Sequence, residues 1–592
     1  MNLRGEPHRR QGDVQPLPAP FTPLPLTAYR PRLMPDFIAR LCRALSAIPV
    51  ATVLRLVSFV LLAPGPALLP GAELPRPAAG TFAAPRITTA PGYEVTLVHA
   101  VARESHGSWV SLAADPRGRL YVSDQYGPVY RVTLPASPGA TPDITPVPLK
   151  IGGAHGLTWI AGSLYAVVGQ KTVCATGLYR VRDTDGAGDL DQVDLLHELA
   201  GEGEHGPHAV VAGPDGRSLY VLAGNATRLP ALTRSRVPRF WADDSLLRPL
   251  PALMGSETRG ILPGGWICRT DLEGREWELH AAGLRNAYGL ACDPNGELFT
   301  FDSDTEFELN LPWYRPTRVL HAVSGADFGW RRGALKIPAS APDAWPDVLA
   351  MGLGSPTAVL FPASAKLPAA ERHALWVADW SYGKIYALPL KPSGASFTAT
   401  RTAIVSAMPL PVTAMCVNPA DGAFYFTTGG RRMHSALYRL RWTGPPSDIP
   451  APSQPTADVV ARRTLEASHG REDPASVDTV WPALGSTDRV LRRAARAALE
   501  SQPVASWRQK ALDESLPRPA LSALLALARV DAPGSRVKIL TALRRLDERV
   551  LDASLRGEWL RVLSLALSRG GATTPAVRAT WRPVLESLRA RC

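Results

Sequence analysis

At 592 residues the chain is too long to bury one hydrophobic core, and two or three folded units are expected. An apolar fraction of 45% with 20% charged residues excludes a disordered or fibrous protein. The net charge of +12 comes mainly from arginine scattered along the chain with no recognition motif beside it, so no nucleic-acid partner is expected. A dense cluster such as Arg489, Arg492, Arg493 and Arg496 reads as the solvated face of a helix.

In chain order, residues 1–33 are rich in proline and arginine, show no apolar periodicity, and read as disordered or as sequence before the true start at Met34. Residues 34–72 have the pattern of a signal peptide: Arg40, Arg43 and Arg55, then an apolar run from Leu56 to Leu69, then small residues near Gly71 and Ala72. An uncleaved anchor is the competing reading, but Pro64, Pro66 and Pro70 interrupt the run, and a bilayer span needs about 20 apolar residues. The expectation is export to the periplasm or cell envelope, with residues 73–90 a linker. The six cysteines are widely separated with no Cys-x-x-Cys pair, which excludes a zinc ribbon and a c-type haem site and leaves one disulfide among Cys174, Cys268, Cys292 and Cys416 open.

Between residues 91 and 442 one phrase recurs: an apolar strand, a turn of Asp or Asn with Pro and Gly, and an aromatic-rich strand. It appears at 111–124, 210–225, 289–304 and 414–430, with weaker copies at 156–169 and 372–388. The Pro-Asp-Gly and Pro-Asn-Gly turns supply the backbone angles of tight hairpins. A single hairpin cannot bury its own face, whereas six arranged around an axis can, so a mainly β fold with a six-bladed β-propeller is expected over 91–442. Insertions around 228–262 and 305–320 are expected to carry function.

Three phrases within that span, HGPHAVVAGPDG (205–216), GLRNAYGLACDPNGELFTFDSD (283–304) and GADFGW (325–330), resemble the quinone-dependent glucose/sorbosone dehydrogenase family. LYVSDQYGPVYRV and RDTDGAGDLDQVDLL are closer to the membrane-bound dehydrogenase-like propeller proteins of planctomycete-type bacteria, which add helical repeats and a haem-binding tail. The resemblance implies an oxidoreductase that moves hydride from a sugar or alcohol hydroxyl to pyrroloquinoline quinone (PQQ), with His205 as general base and Arg285 and Asn286 over the quinone. The residue four after His205 is Ala209, with His208 beside it, where the family has arginine. Arg431 and Arg432 stand as substitutes for the family's late-chain cations that hold the quinone carboxylates. His205 and His208 as structural histidines, and Arg285 and Asn286 as ties between blades, are the competing readings.

Residues 183–194 place Asp183, Asp185, Asp189, Asp191 and Asp194 at calcium-loop positions around Gly188, with Ala187 replacing one ligand. A weakened Ca²⁺ site and an acidic solvent-exposed turn both remain open. A second acidic group, Asp302, Asp304, Glu306 and Glu308, lies where the dehydrogenases hold calcium. The Cys-x-x-Cys-His haem motif is missing, so no haem is expected in this chain.

After a Pro/Ser-rich linker at 443–456, apolar residues take helical spacing at 488–500, 519–530, 537–550 and 558–568. An α-helical, HEAT-like repeat segment is expected over 457–592, serving either to bind a protein partner or to pack on the propeller. Two functions follow: an exported PQQ-dependent sugar or alcohol dehydrogenase with an unassigned electron acceptor, or a non-catalytic propeller scaffold for carbohydrate or protein. A lactonase-type hydrolase would need a central metal with converging acidic and Asn ligands, and no clear set is present.

Overall fold

Alternating apolar residues on short strands, punctuated by glycine turns, close here into a ring of six antiparallel sheets. The computed structural model describes residues 84–590 apart from 138, 239–259, 308–310, 332–336, 338–340, 446–453 and 572. All of these belong to one compact unit, Phe82–Cys592. The expected leader at 1–72 and the start of the linker at 73–90 lie outside the described residues, as do Cys42, Glu308 and Cys592.

The innermost strands of the six blades are Trp109–Ala114, Ala154–Ile160, Pro207–Ala212, Leu290–Cys292, Pro356–Leu360 and Val412–Val417. Five of the six recurring phrases are the first two strands of a blade. The copy at 372–388 is instead the second and third strands, Leu375–Asp379 and Lys384–Leu388. Its blade starts at Pro356–Leu360 and reaches the next strand through a short helix, Ala369–Arg372, so no Pro-x-Gly turn marks the join. Elsewhere the turn glycines take the left-handed conformation the hairpin requires, with φ of +62° at Gly216 and +87° at Gly296.

Ring closure joins distant sequence. Tyr93–Ala100 is the outermost strand of the last blade and pairs antiparallel with Ala436–Trp442. Thr88–Thr89, which the sequence assigns to the linker, pairs with Val405 and Ser406. Cys174, Cys268, Cys292 and Cys416 are all free thiols, so the disulfide left open by the sequence is not formed among them.

The C-terminal segment is helical, with main helices at Ala457–Glu466, Arg489–Glu500, Pro517–Arg545, Ala553–Arg569 and Pro575–Ala590. Asp488 caps the second by accepting from Leu491 N at 2.7 Å. The stretches read as two helices, 519–530 and 537–550, fall largely in one segment, Pro517–Arg545, which ends before residues 546–550 and is broken at Asp531, whose φ of −142° is not helical. Its apolar face, with Trp507 and Trp559, forms a core of its own.

These helices dock on the propeller through buried charge. Glu297 accepts from Arg462 Nη2 at 2.5 Å and from Arg463 Nε at 2.8 Å, and its other oxygen meets His321 Nε2 at 2.6 Å. Asp343 is held by Arg561 at 2.8 Å and Arg529 at 3.4 Å. The arginine cluster expected on a solvated face is only partly there: Arg489 is exposed, but Arg492 and Arg493 are buried, and Arg492 pairs with Glu558 at 2.9 Å. The reason is packing, since that helix turns its arginines toward carbonyls and carboxylates supplied by other segments.

Candidate functional site

The second strand of a blade ends at one face of the ring, and three of these ends carry an aspartate that accepts backbone N–H groups. Asp124 accepts from Ser108, Asp379 from Ser355, Ser381 and Tyr382, and Asp302 from Arg285, Asn286 and Ser303. In each case the aspartate pins the loop that leads into the innermost strand of the same blade. A buried carboxylate is satisfied this way, and the loop is fixed. Asp302 is 1% exposed, and it sets the position of Arg285 and Asn286.

His205 ends a short 3₁₀ turn just before the strand Pro207–Ala212. Its Nδ1 donates to Asn225 Oδ1 at 2.6 Å, and its carbonyl accepts from Ala226 N at 3.1 Å. Because an amide oxygen only accepts, the proton sits on Nδ1 and the lone pair on Nε2. Gly224 lies between the two functional phrases. A Cβ there would come within 2.5 Å of Asn286 Oδ1 and 2.7 Å of the His205 carbonyl, so only glycine allows the approach.

Asn286 donates from Nδ2 to the Glu204 carbonyl at 3.0 Å, which turns its Oδ1 toward His208 Nε2 at 2.9 Å. His208 stacks on His155 with ring centroids 5.5 Å apart and lies 4.7 Å from Tyr288. Burial, reinforced by His155, holds the His208 imidazole well below its ordinary range. Burial likewise lowers His155 to about 4, so this pair is neutral at physiological pH.

Arg285 donates to Ser303 Oγ at 3.0 Å and to Glu306 Oε2 at 2.9 Å, with Asp304 at 3.9 Å. Burial, then the charge of Glu306, raises the Asp304 carboxyl above its usual value. Arg431 and Arg432 follow two glycines and themselves have φ of +51° and +62°. Such backbone costs about 1–3 kcal/mol per residue and is retained where the surroundings fix it. The Arg431 N–H is held by Gln125 Oε1 at 2.6 Å, its guanidinium pairs with Glu204 and lies 5.2 Å from the Trp380 ring centre, and Arg432 lies 4.6 Å from that of Tyr126.

Together these residues surround a cavity of about 450 Å³ on the propeller axis, lined by His205, Arg285, Asn286 and Arg431 among others. Arg432 does not line it but stands against Tyr126, which does. A second space of about 420 Å³ runs along the innermost strands, and His155, Tyr288, Thr357 and Thr413 line both. The structure therefore gathers His205, Arg285, Asn286 and Arg431 from three separate stretches of the chain, whereas no residue of the GADFGW phrase lines either space. It adds Glu204, Asn225, Tyr126 and Trp380, which sequence reasoning missed. Asn225 and Trp380 carried a signal, since Trp380 directly follows the second strand of its blade and Asn225 lies two residues after the end of its own.

The five aspartates of 183–194 stand elsewhere and do not converge. Asp183 accepts from Gly186 and Gly188, Asp185 from Ala187, and Asp191 from Thr184. Asp189 pairs with Arg131 and Asp194 with Arg182. Among the described residues no group of three or more His, Cys, Asp or Glu is placed to hold a metal ion. Of the two readings left open by the spacing, the arrangement is that of an acidic turn closed by its own N–H groups and by arginines from neighbouring strands.

No protein-family model matches the chain, and no curated protein does. Among solved structures, it is similar to the PQQ-bound aldose sugar dehydrogenase of Streptomyces coelicolor, with 17% identity over 60% of this chain and 100% of that one, at a TM-score of 0.41. A glucose dehydrogenase shares 13% identity over 61% and 100% of the two chains, at 0.42. The PQQ domain of pyranose dehydrogenase from Coprinopsis cinerea, in its holo form, shares 11% over 60% and 97%, at 0.41.

Proposed function

We propose that the axial cavity is the substrate site of an exported sugar or sugar-alcohol oxidoreductase, in which His205 takes the proton of the reacting hydroxyl. The observation that carries this reading is the Nδ1–H bond from His205 to Asn225 Oδ1 at 2.6 Å, on a histidine lining the cavity. That bond puts the lone pair on Nε2 and fixes the ring, as a general base requires. Neutral hydrogen-bonding groups, Gln125, Gln170, Asn286 and Ser303, surround the space, and Tyr126 and Trp380 give it flat apolar faces. Such a lining suits a neutral polyhydroxyl ligand.

Oxidation of the hydroxyl also needs a hydride acceptor, and PQQ, when bound, supplies one. Arg431 would hold one of its carboxylates, with Arg432 behind Tyr126 and Arg285 and Asn286 beside the ring. The donor set fits on one condition: Arg431 must exchange Glu204 for a carboxylate of the ligand. The strained backbone at Arg431 and Arg432 supports a binding role there. Arg285 stays tied to Glu306, so its part is to orient rather than to neutralise.

A second reading, a non-catalytic scaffold for carbohydrate or protein, is favoured by the three carboxylates Glu204, Asp304 and Glu306 that line the same space. Calorimetric titration of PQQ into the protein, with and without calcium, separates the two. Saturable binding that strengthens in Glu204→Gln is expected for the oxidoreductase; no binding under either condition leaves the scaffold.

A further inference from the structure

Away from the axial cavity, the helical segment and the propeller enclose a small space with about 10 Å³ of room, enough for one water or one monatomic ion. It is lined by Arg493, Arg496 and Arg529 from the helices and by Asp327, Asp343 and Trp345 from the propeller side. The carboxylates in and around it are already engaged by arginine. Asp327 is held by Arg331 at 2.9 Å, Asp343 by Arg561 and Arg529, and Glu500 by Arg496 at 3.1 Å and Arg529 at 3.4 Å. Against burial, which works to raise it, Arg561 and Arg496 hold the Asp343 carboxyl far below its usual range.

Arg493 differs from the others. It is 3% exposed, donates from Nε and Nη2 to the Pro342 carbonyl at 3.2 and 2.6 Å, and lies 5.7 Å from the Trp345 ring centre. Its Nη1 is buried and meets no hydrogen-bond partner, and among the described residues no carboxylate pairs with its charge. Burial, then repulsion from Arg489 and Arg496, pushes this guanidinium well below its ordinary range. Asp343 offsets part of this charge from a distance, but a buried charge with no paired counter-charge is costly, and a donor without an acceptor adds to that cost.

We propose that this space is a binding site for a small monovalent anion of the halide class, chloride in practice, which accepts from Arg493 Nη1 and locks the helical segment to the propeller. A polyatomic anion such as phosphate exceeds the room available. A site of this kind stabilises the folded chain by mass action, more strongly the further the anion concentration lies above its Kd.

The test uses the full chain. Thermal melts in chloride, bromide and gluconate at equal ionic strength separate specific binding from screening. Chloride and bromide are expected to raise Tm, with the logarithm of their concentration once above Kd, by about 2–4 °C over gluconate. Crystals soaked in bromide are expected to show an anomalous peak beside Arg493 Nη1. Arg493→Met keeps an apolar stem against Trp345 and removes the charge, so its Tm should no longer depend on halide. Identical melts in all three salts with no bromide peak, or a halide response that survives in Arg493→Met, overturns the proposal.

Discussion

The axial cavity and the helix–propeller interface both rest on arginine and carboxylate, but they use them in opposite ways. Around the cavity, Arg431 and Glu204 are 60% and 67% exposed, and a ligand can replace either partner. At the interface, Asp343 is 1% exposed and Arg529 5%, so both are shielded from bulk water. Exposed pairs add little to stability and can rearrange, whereas a buried pair becomes costly as soon as one member is lost. The first region is thus suited to binding and the second to holding the fold together.

The largest predicted effect follows from breaking the buried side. Asp343→Ala removes the buried carboxylate that Arg561 and Arg529 share, and it should cost about 3–5 kcal/mol in denaturant unfolding. A loss below about 1 kcal/mol would mean that water screens the interface and that the contrast is false.

Acid sharpens the same comparison. Burial lowers His280 to about 3 and His469 to about 4, both at the interface, alongside His155 in the propeller. Above pH of about 6.5 these rings are neutral folded or unfolded and carry no penalty. As pH falls below that value the unfolded chain takes up protons that the folded chain refuses, so stability drops until the folded pKa is reached. Each ring should cost about 2 kcal/mol by pH 5. Glu466, raised to about 7 by burial against the pull of Arg462, works in the opposite direction, since its folded form favours the protonated state. Melts between pH 7 and 5 should show a falling Tm, and a His469→Gln chain should fall less steeply.

On the cavity side, Gly224→Ala forces a Cβ against Asn286 and the His205 carbonyl, at a cost of about 1–3 kcal/mol. Substrate turnover should suffer more than the melting temperature does. The smallest effect is expected for Glu204→Gln, which releases an exposed pair and should change Tm by less than about 1 °C while strengthening binding of an anionic ligand.

The same contrast explains what could be read in advance. Asp124, Asp302 and Asp379 close the recurring phrases, so the blades and the pinned loops that present Arg285 and Asn286 follow from local sequence. The partnership of Arg431 with Glu204 spans 227 residues, and that of Arg561 with Asp343 spans 218. No local pattern encodes such pairs. Arg492 and Arg493 look like solvent-facing residues because nothing near them in sequence shows that Glu558 and the Pro342 carbonyl will cover them. The acidic loop at 183–194 shows the reverse: spacing alone leaves a calcium site and a solvent-exposed turn both open, and its carboxylates are satisfied locally by Gly186, Gly188 and Thr184.

The most direct test of the central claim is dye-linked oxidation of a panel of sugars and sugar alcohols by the full chain supplied with PQQ and calcium, compared between the native protein and His205→Ala. Turnover that falls by about 10²-fold or more in His205→Ala, with ligand binding retained, is the predicted result. Turnover unchanged in His205→Ala, or none in the native protein despite bound PQQ, would contradict it.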